Sequence, residues 1–180
     1  AIVSTGIAAM VGAFAGYFGK AADQVSQVVI DLLLVLPGFL IIAILSPSFR
    51  GKTWLVFVLL LAAFQWMITA RVVRSLTMSL REREFVDAAR SLGARGPYVL
   101  FRELLPNLWG PILVYTTLLI PTNILFEAAV SYLGVGIIPP TPSWGGMLSD
   151  AVNSGFYAID PMYMIIPGLA IFLTVLAFNL

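Results

Sequence analysis

The chain of 180 residues contains no cysteine and no histidine. Without cysteine it can form neither a disulfide nor a thiolate metal site. Without histidine it lacks the commonest metal ligand and the usual acid–base group near neutral pH. Charged residues are also scarce, at 11% of the chain. Most familiar catalytic constellations and metal centres are therefore excluded, and we expect a protein that is not itself an enzyme and holds no cofactor.

Apolar side chains are the residues that the chain has in excess. They account for 60% of the sequence, and the mean hydropathy is +0.98, whereas soluble domains are nearer half apolar. A helix of about 20 residues crosses the hydrocarbon core of a bilayer, so about four to six spans with short loops would use the whole chain. The composition predicts an all-α polytopic membrane protein with no room for a separate catalytic domain.

Five apolar stretches are candidate spans of a single transmembrane domain, residues 1–180. The stretches cover about 1–18, 28–46, 54–77, 107–131 and 163–180. Two of the connectors are long. The connector at 78–106 is rich in charge, whereas the connector at 132–162 is rich in proline and glycine.

The basic residues predict an orientation. Seven of the ten lie in or beside the connector 78–106, and none lies in 132–162. The positive-inside rule therefore places 78–106 in the cytoplasm and 132–162 outside the cell. Lys20 falls inside as well, which leaves only Arg50 and Lys52 outside. Residue 1 then lies at the outer face, so we expect the sequence to be a fragment that lacks a preceding helix and also a C-terminal tail.

The connector 78–106 contains a predicted amphipathic helix. Apolar residues recur there at i, i+3, i+4 and i+7, namely Phe85, Ala88, Ala89 and Leu92. Gly93 suits the left-handed conformation that ends a helix, and after Pro97 a second helix is predicted to run to Pro106. The pattern alone allows two interpretations. The helix could contact a protein partner, or it could lie on lipid headgroups, attracted by a net charge of +3 over residues 71–103 (seven Arg minus four acidic residues).

The run EFVDAARSLG at 84–93, followed by FRELLPN at 101–107, resembles the cytoplasmic EAA loop of ABC importer permeases. In that family the loop forms a coupling helix, which docks into a groove on the ATPase subunit. Its pattern is an acidic residue, two alanines and a glycine four residues later, matched here with Asp in place of the commoner Glu. The resemblance implies a type I importer permease bundle. It assigns the ATPase-coupling role to Glu84, Phe85, Asp87, Ala88, Ala89, Arg90, Leu92 and Gly93.

A second resemblance narrows the family. The runs FEAAVSYLGVG at 126–136 and PPTPSWGGML at 139–148, with GYFG at 16–19 and DLLLVLP at 31–37, are similar to the C-type permease of dipeptide, oligopeptide and nickel importers. The resemblance implies a multi-pass protein of the bacterial plasma (inner) membrane. Its expected partners are a homologous permease forming a heterodimer, two ATP-binding subunits, an extracytoplasmic solute-binding protein and the lipid bilayer, with no nucleic acid. Peptides are the expected substrates, with nickel chelates, glutathione or sugars as alternatives.

Three polar residues inside the apolar stretches are candidates for a pathway or gate. Gln65 and Trp66 lie near mid-depth, where a polar cluster serves either interhelical hydrogen bonding or a pathway lining. Glu127 lies toward the outer end of its stretch, and an acidic group in hydrocarbon costs about 2.5 kcal/mol or more unless it is paired or hydrated. Its partner would be the ammonium group of a peptide or a hydrogen-bond donor in the outer loop. Gly12 and Gly16 form a G-x-x-x-G pattern that allows close helix packing.

Other membrane functions are less well supported by the sequence. A secondary transporter or channel would carry several ionisable groups near mid-depth, whereas here Glu127 stands nearly alone. A membrane scaffold protein remains open on composition. An intramembrane enzyme is disfavoured by the missing histidine and cysteine.

Overall fold

A computed structural model describes residues 1–45, 53–137 and 139–180. The segment with Arg50 and Lys52, and the last residue of the apolar stretch 28–46, lie outside the described residues. Within the described part the regular structure is helical and contains no strand, which confirms the expected all-α fold. The α-helices are α1 (Ile2–Phe18), α2 (Lys20–Val35), α3 (Gly38–Leu45), α4 (Thr53–Leu80), α5 (Glu84–Ser91), α6 (Gly96–Tyr98), α7 (Leu105–Tyr132), α8 (Trp144–Asn153), α9 (Phe156–Ile159) and α10 (Met162–Asn179).

The chain divides into two compact units. Unit 1 comprises residues 1–36 and 62–116, and unit 2 comprises residues 37–61 and 117–180. Helices α4 and α7 each contribute one part to each unit. The connector 78–106 therefore lies wholly in unit 1, and the connector 132–162 lies wholly in unit 2.

The apolar stretch 28–46 does not form one straight helix. Helix α2 already begins at Lys20, and it ends at Val35, after which α3 begins at Gly38 with a bend of 66° between the two. The cause is Pro37, because a proline disfavours helical geometry in the preceding residue. Leu36 is accordingly extended, with φ −71° and ψ 129°.

Three helical segments among the described residues are long and apolar enough to cross a membrane, and the bent pair α2–α3 would make a fourth. They are Trp54–Leu80, Gly96–Tyr132 and Met162–Asn179. Helix α1 is apolar but has 17 residues, the lower end of the length that spans a bilayer. The five predicted spans remain a prediction.

In unit 1, helix α1 packs against α4 through two of its glycines, Gly12 and Gly16. A Cβ built on Gly12 would lie 2.5 Å from the carbonyl oxygen of Ala70, and one on Gly16 would lie 2.6 Å from that of Arg74. Only a residue without a side chain permits helix backbones to approach so closely. The predicted role of the G-x-x-x-G pattern in close packing is confirmed.

The sequence predicted that the second helix of the connector ends at Pro106. The structure shows that the helix continues past this proline. After α6, a π-helical segment, Val99–Leu104, leads without a break into α7. A proline lacks the backbone N–H and crowds the carbonyl four residues earlier, here that of Arg102. That carbonyl belongs to the π-helical segment, whose turn is wider than that of an α-helix. The irregular hydrogen bonding therefore lies next to Pro106, and the helix continues past the proline.

Candidate functional site

Helix α5 is attached to unit 1 by a single fully buried side chain. Val86 has no exposed surface and belongs to one hydrophobic cluster with Val99, Leu100 and Leu104 of the π-helical segment. Ala89 packs against the same cluster from one turn further along α5. The helix is thus fixed in position by a short row of small apolar side chains.

The other apolar residues of α5, and Leu92 directly after its last residue, are exposed. Leu92 is 90% exposed and Phe85 is 37% exposed, and Ala88 and Glu84 are also exposed. The periodicity had predicted one apolar face containing Phe85, Ala88, Ala89 and Leu92. The structure instead separates the buried Val86 and the half-buried Ala89 from an exposed row. We call this row the outer row of α5 and define it as Phe85, Ala88 and the C-cap residue Leu92.

Gly93 ends α5 in the way that the sequence predicted. Its φ is +85°, its N–H donates to the carbonyl of Arg90 at 2.9 Å, and the N–H of Ala94 donates to that of Ala89 at 3.0 Å. These two hydrogen bonds form a Schellman motif, which satisfies carbonyl groups left free at the helix end. The chain turns sharply here, and α6 begins only three residues later.

The charged side chains of α5 contact one another and the end of α1. Asp87 and Arg90 form an ion pair of 3.6 Å between residues three apart, which was one of the local charge pairs that a helix with this sequence allows. The guanidinium carbon of Arg90 also lies 5.5 Å from the centre of the Tyr17 ring. Both charged side chains are more than one third exposed, so they remain accessible to a partner.

A groove of about 480 Å³ borders the C-terminal end of α5. Its lining includes Leu92, Gly93, Arg95, Tyr98 and Glu103. The groove adjoins the outer row through Leu92. An external side chain that contacts the outer row could therefore reach the groove as well.

Two ion pairs connect α2 with α4 in unit 1. Arg74 pairs with Asp23 through two hydrogen bonds, of which the bond from Nη2 to Oδ2 measures 2.5 Å, and Arg71 pairs with Asp31. Arg74 and Asp23 are the less exposed pair, at 25% and 19% of their side chains. Two of the arginines that predicted the orientation are therefore part of a long helix and are engaged by acidic partners.

Gln65 and Trp66, the predicted pathway candidates, lie on α4 in the part that belongs to unit 1. Trp66 donates its indole N–H to the carbonyl of Ala63 at 3.0 Å and packs against a cluster that contains Ala8, Ile30 and Met67. Gln65 has a buried side-chain oxygen without a hydrogen-bond partner in the structure. Trp66 thus has packing contacts, and whether either residue lines a pathway remains a prediction.

Glu127, the third pathway candidate, accepts a hydrogen bond from Ser131 of its own helix, and Ser131 in turn contacts the loop that follows. The hydroxyl of Ser131 donates to Oε1 of Glu127 at 2.6 Å and accepts from the backbone N–H of Ile137 at 3.0 Å. The loop returns to the same helix at Gly145, where an added Cβ would collide with the carbonyl oxygen of Ala128. Glu127 is therefore linked to the connector 132–162 only indirectly, through Ser131 of its own helix, and whether it lines a pathway remains a prediction.

Sequence reasoning missed Val86, which attaches α5 to unit 1, and Tyr17, which contacts Arg90 of α5. Val86 was missed because the helical period was assigned to the apolar residues on the other side, although its β-branched side chain next to Phe85 was visible. Tyr17 was noticed only as part of the run GYFG, because no local pattern indicates that it meets a residue 73 positions later in the chain.

Comparison with known proteins identifies the relatives of this chain. It is 45% identical over 155 residues to the oligopeptide transport system permease protein OppC of Mycobacterium bovis, which covers 86% of this chain and 53% of the relative. It is 36% identical over 178 residues to a putative peptide permease protein of Brucella ovis, covering 99% of this chain and 59% of the relative. It is 38% identical over 179 residues to the glutathione transport system permease protein GsiD of Pectobacterium atrosepticum, covering 99% and 58%.

The chain thus spans between half and three fifths of the length of these curated relatives. All three are named as transport permeases, in agreement with the expectation that a protein of this kind is not itself catalytic. Residues 8–180 match the family described as the binding-protein-dependent transport system inner membrane component. The match covers nearly the whole sequence, and this chain therefore belongs to that family of membrane permeases.

Proposed function

We propose that the protein is a permease subunit of an ATP-binding cassette importer for di- or oligopeptides in the bacterial inner membrane. It forms the translocation pathway with a homologous permease as a heterodimer. Two cytoplasmic ATP-binding subunits drive the transport, and an extracytoplasmic solute-binding protein delivers the substrate. Membership of a binding-protein-dependent transport family supports this assignment.

The observation that carries the proposal is the arrangement of α5. Its buried residue Val86 holds the helix against unit 1, while the outer row presents apolar surface that this chain leaves exposed. Apolar side chains on a short charged helix are stabilised when a partner removes them from water, by about 25 cal/mol for each Å² buried. The cytoplasmic ATP-binding subunit is the partner that the resemblance to the EAA loop implies.

The mechanism that follows is mechanical. When the ATP-binding subunits close on ATP, they displace α5. Because α5 is anchored to the π-helical segment and lies between α4 and α7 in the chain, its displacement moves both long helices. The permease pair then alternates between states open to the two sides of the membrane.

Peptides are the first choice of substrate because the relatives are named for oligopeptides, peptides and glutathione, itself a short peptide. Nickel chelates and other small solutes are the alternative within this family. A matched test measures uptake of a labelled dipeptide by the reconstituted importer against excess unlabelled oligopeptide, glutathione or nickel chelate. Competition by the peptides is expected, and competition by the nickel chelate alone would contradict a peptide substrate.

The coupling role is tested in the full-length subunit assembled with its partners. Leu92→Glu places a charge in the outer row where the side chain is 90% exposed, so it should leave the permease stable while the ATP-binding subunits no longer co-purify. Asp87→Arg should likewise insert into the membrane and lose uptake. Ile159→Glu is the matched control, because Ile159 is 80% exposed in the connector 132–162.

The outcomes separate the importer from its rivals. Loss of ATP-binding subunits from Leu92→Glu but not from Ile159→Glu supports the proposal. Retention of both the subunits and full uptake in Leu92→Glu and Asp87→Arg would contradict it. Uptake by the permease in the absence of any ATP-binding subunit would instead favour a secondary transporter or channel.

A further inference from the structure

The C-terminal end of α1 is contacted on several sides by the connector that contains α5. Arg90 of α5 lies over the face of the Tyr17 ring, 5.5 Å from its centre. A Cβ built on Gly96 would lie 3.5 Å from Cε1 of the same ring, so the backbone at the start of α6 passes close to it. Tyr17 also packs against the hydrophobic cluster that buries Val86.

Arg81 fixes the backbone at the same point. It follows directly after the last residue of α4, and its Nη1 donates to the carbonyl of Gly16 at 3.1 Å and to that of Tyr17 at 3.4 Å. A basic group at the C-terminal end of a helix satisfies carbonyls that have no partner within the helix and interacts favourably with the helix dipole. The end of α1 is therefore held by its side chain and by its carbonyl groups.

We propose that Tyr17 is a positioning residue that links α5 to α1, so that a displacement of α5 also moves a helix that is not its neighbour in the chain. This inference rests on the proposed coupling role of α5. The chain itself joins α5 only to α4 and to the helical segment that begins at α6. Helix α1 also joins the hydrophobic cluster of Val86 through Ala9 and Ala13, but Tyr17 is the residue of α1 whose side chain meets a charged side chain of α5.

The chemistry of the contact explains the residue type. A guanidinium group over an aromatic face is attracted by the negative potential of the π system, and the planar ring offers a broad surface at small cost in side-chain entropy. The contact with Arg90 uses the ring face, so a phenylalanine at position 17 would keep most of it. A leucine at this position would remove the ring while retaining apolar volume.

The test uses the full-length subunit reconstituted with its partner subunits in proteoliposomes, and it measures substrate taken up per ATP hydrolysed. Tyr17→Leu is expected to lower this ratio about two- to fivefold, the factor that corresponds to loss of a partly exposed cation–π contact, while the ATP-binding subunits stay bound. Tyr17→Phe should keep the wild-type ratio. Phe14→Leu is the matched control, because it removes an exposed ring from the same helix one turn earlier.

A second variant keeps the test decisive if Tyr17→Leu does not assemble. Arg81→Gln leaves the ring in place but releases the two carbonyl groups of α1, and it should lower the same ratio. An unchanged ratio in assembled Tyr17→Leu and Arg81→Gln would overturn the link between α5 and α1. So would loss of the ATP-binding subunits from these variants, because Tyr17 would then support the docking helix rather than transmit its movement.

These outcomes are distinct from failure of the proposed function. If Leu92→Glu retains its ATP-binding subunits and full uptake, α5 is not the coupling element, whatever the Tyr17 variants show. If Leu92→Glu loses those subunits and Tyr17→Leu keeps the wild-type ratio, the coupling role stands and only the link to α1 falls.

Discussion

The close packing of α1 on α4 predicts different effects for the same substitution at two glycines of one helix. In Gly12→Ala the new Cβ would lie 2.5 Å from the carbonyl oxygen of Ala70, 2.9 Å from Cβ of Val73 and 3.0 Å from the backbone nitrogen of Arg74. In Gly6→Ala the new Cβ would have no atom within 4 Å. Both substitutions change the backbone propensity of α1 in the same way, so their difference isolates the packing.

The magnitude follows from two opposing contributions. Replacing glycine by alanine inside a helix stabilises it by about 1 kcal/mol, and this gain applies at both positions. An extra methyl group forced into a tightly packed site costs about 1–3 kcal/mol. Two of the three neighbours of Gly12 are backbone atoms, which cannot rotate away. Gly12→Ala should therefore be about 1–3 kcal/mol less stable than Gly6→Ala.

The free energy of unfolding is measured by titrating SDS into the purified protein in detergent micelles. Fluorescence of the four tryptophans reports unfolding, and neither substitution changes a tryptophan. We expect Gly6→Ala to match or exceed the wild-type stability and Gly12→Ala to fall below Gly6→Ala. Equal stability of the two variants would refute the close contact between α1 and α4.

Three further predictions test the helix end, the ion pairs and the outer loop. Gly93→Ala should cost about 1–2 kcal/mol of unfolding free energy because φ is +85°, and Gly93→Asn should cost less, as denaturant titration would show. Arg74→Gln should lower stability more than Arg71→Gln, because the pair formed by Arg71 is more exposed and contributes below about 1 kcal/mol; equal losses would contradict this ranking. Glu127→Gln keeps an acceptor for Ser131 and should retain stability and uptake, whereas Glu127→Leu should lose about 1–3 kcal/mol; lost uptake in the stable Gln variant would favour a pathway role.

Local rules predicted those parts of the structure that depend on one segment. Gly93 was expected to end α5 because a left-handed residue is needed there, and the Schellman hydrogen bonds confirm it. The G-x-x-x-G pattern at Gly12 and Gly16 was expected to allow close packing, and the contacts with α4 confirm it. Hydropathy also predicted the helical class, because a bilayer requires every backbone group to be satisfied within its own segment.

Features that depend on hydrogen-bond geometry were predicted less well. Hydropathy averages over a window and does not register that Pro37 forces Leu36 out of helical geometry, so the bend within the stretch 28–46 was not expected. The reverse error occurred at Pro106, where a proline was expected to end a helix. The π-helical segment before it accommodates the ring, and nothing in the local sequence distinguishes this proline from a helix terminator.

The division of α5 into two faces explains why its pattern was difficult to interpret. A helix that serves only its own core buries its largest apolar residues, yet α5 buries Val86 while its C-cap residue Leu92 is exposed. Truncating Val86 would remove buried surface from the cluster of unit 1 and leave a cavity, which lowers stability. Truncating Leu92 would remove almost no buried surface, so selection for stability of this subunit does not account for an apolar residue there. The exposed position of Leu92 is instead what the coupling proposal requires, since its apolar surface becomes favourable only when another protein covers it.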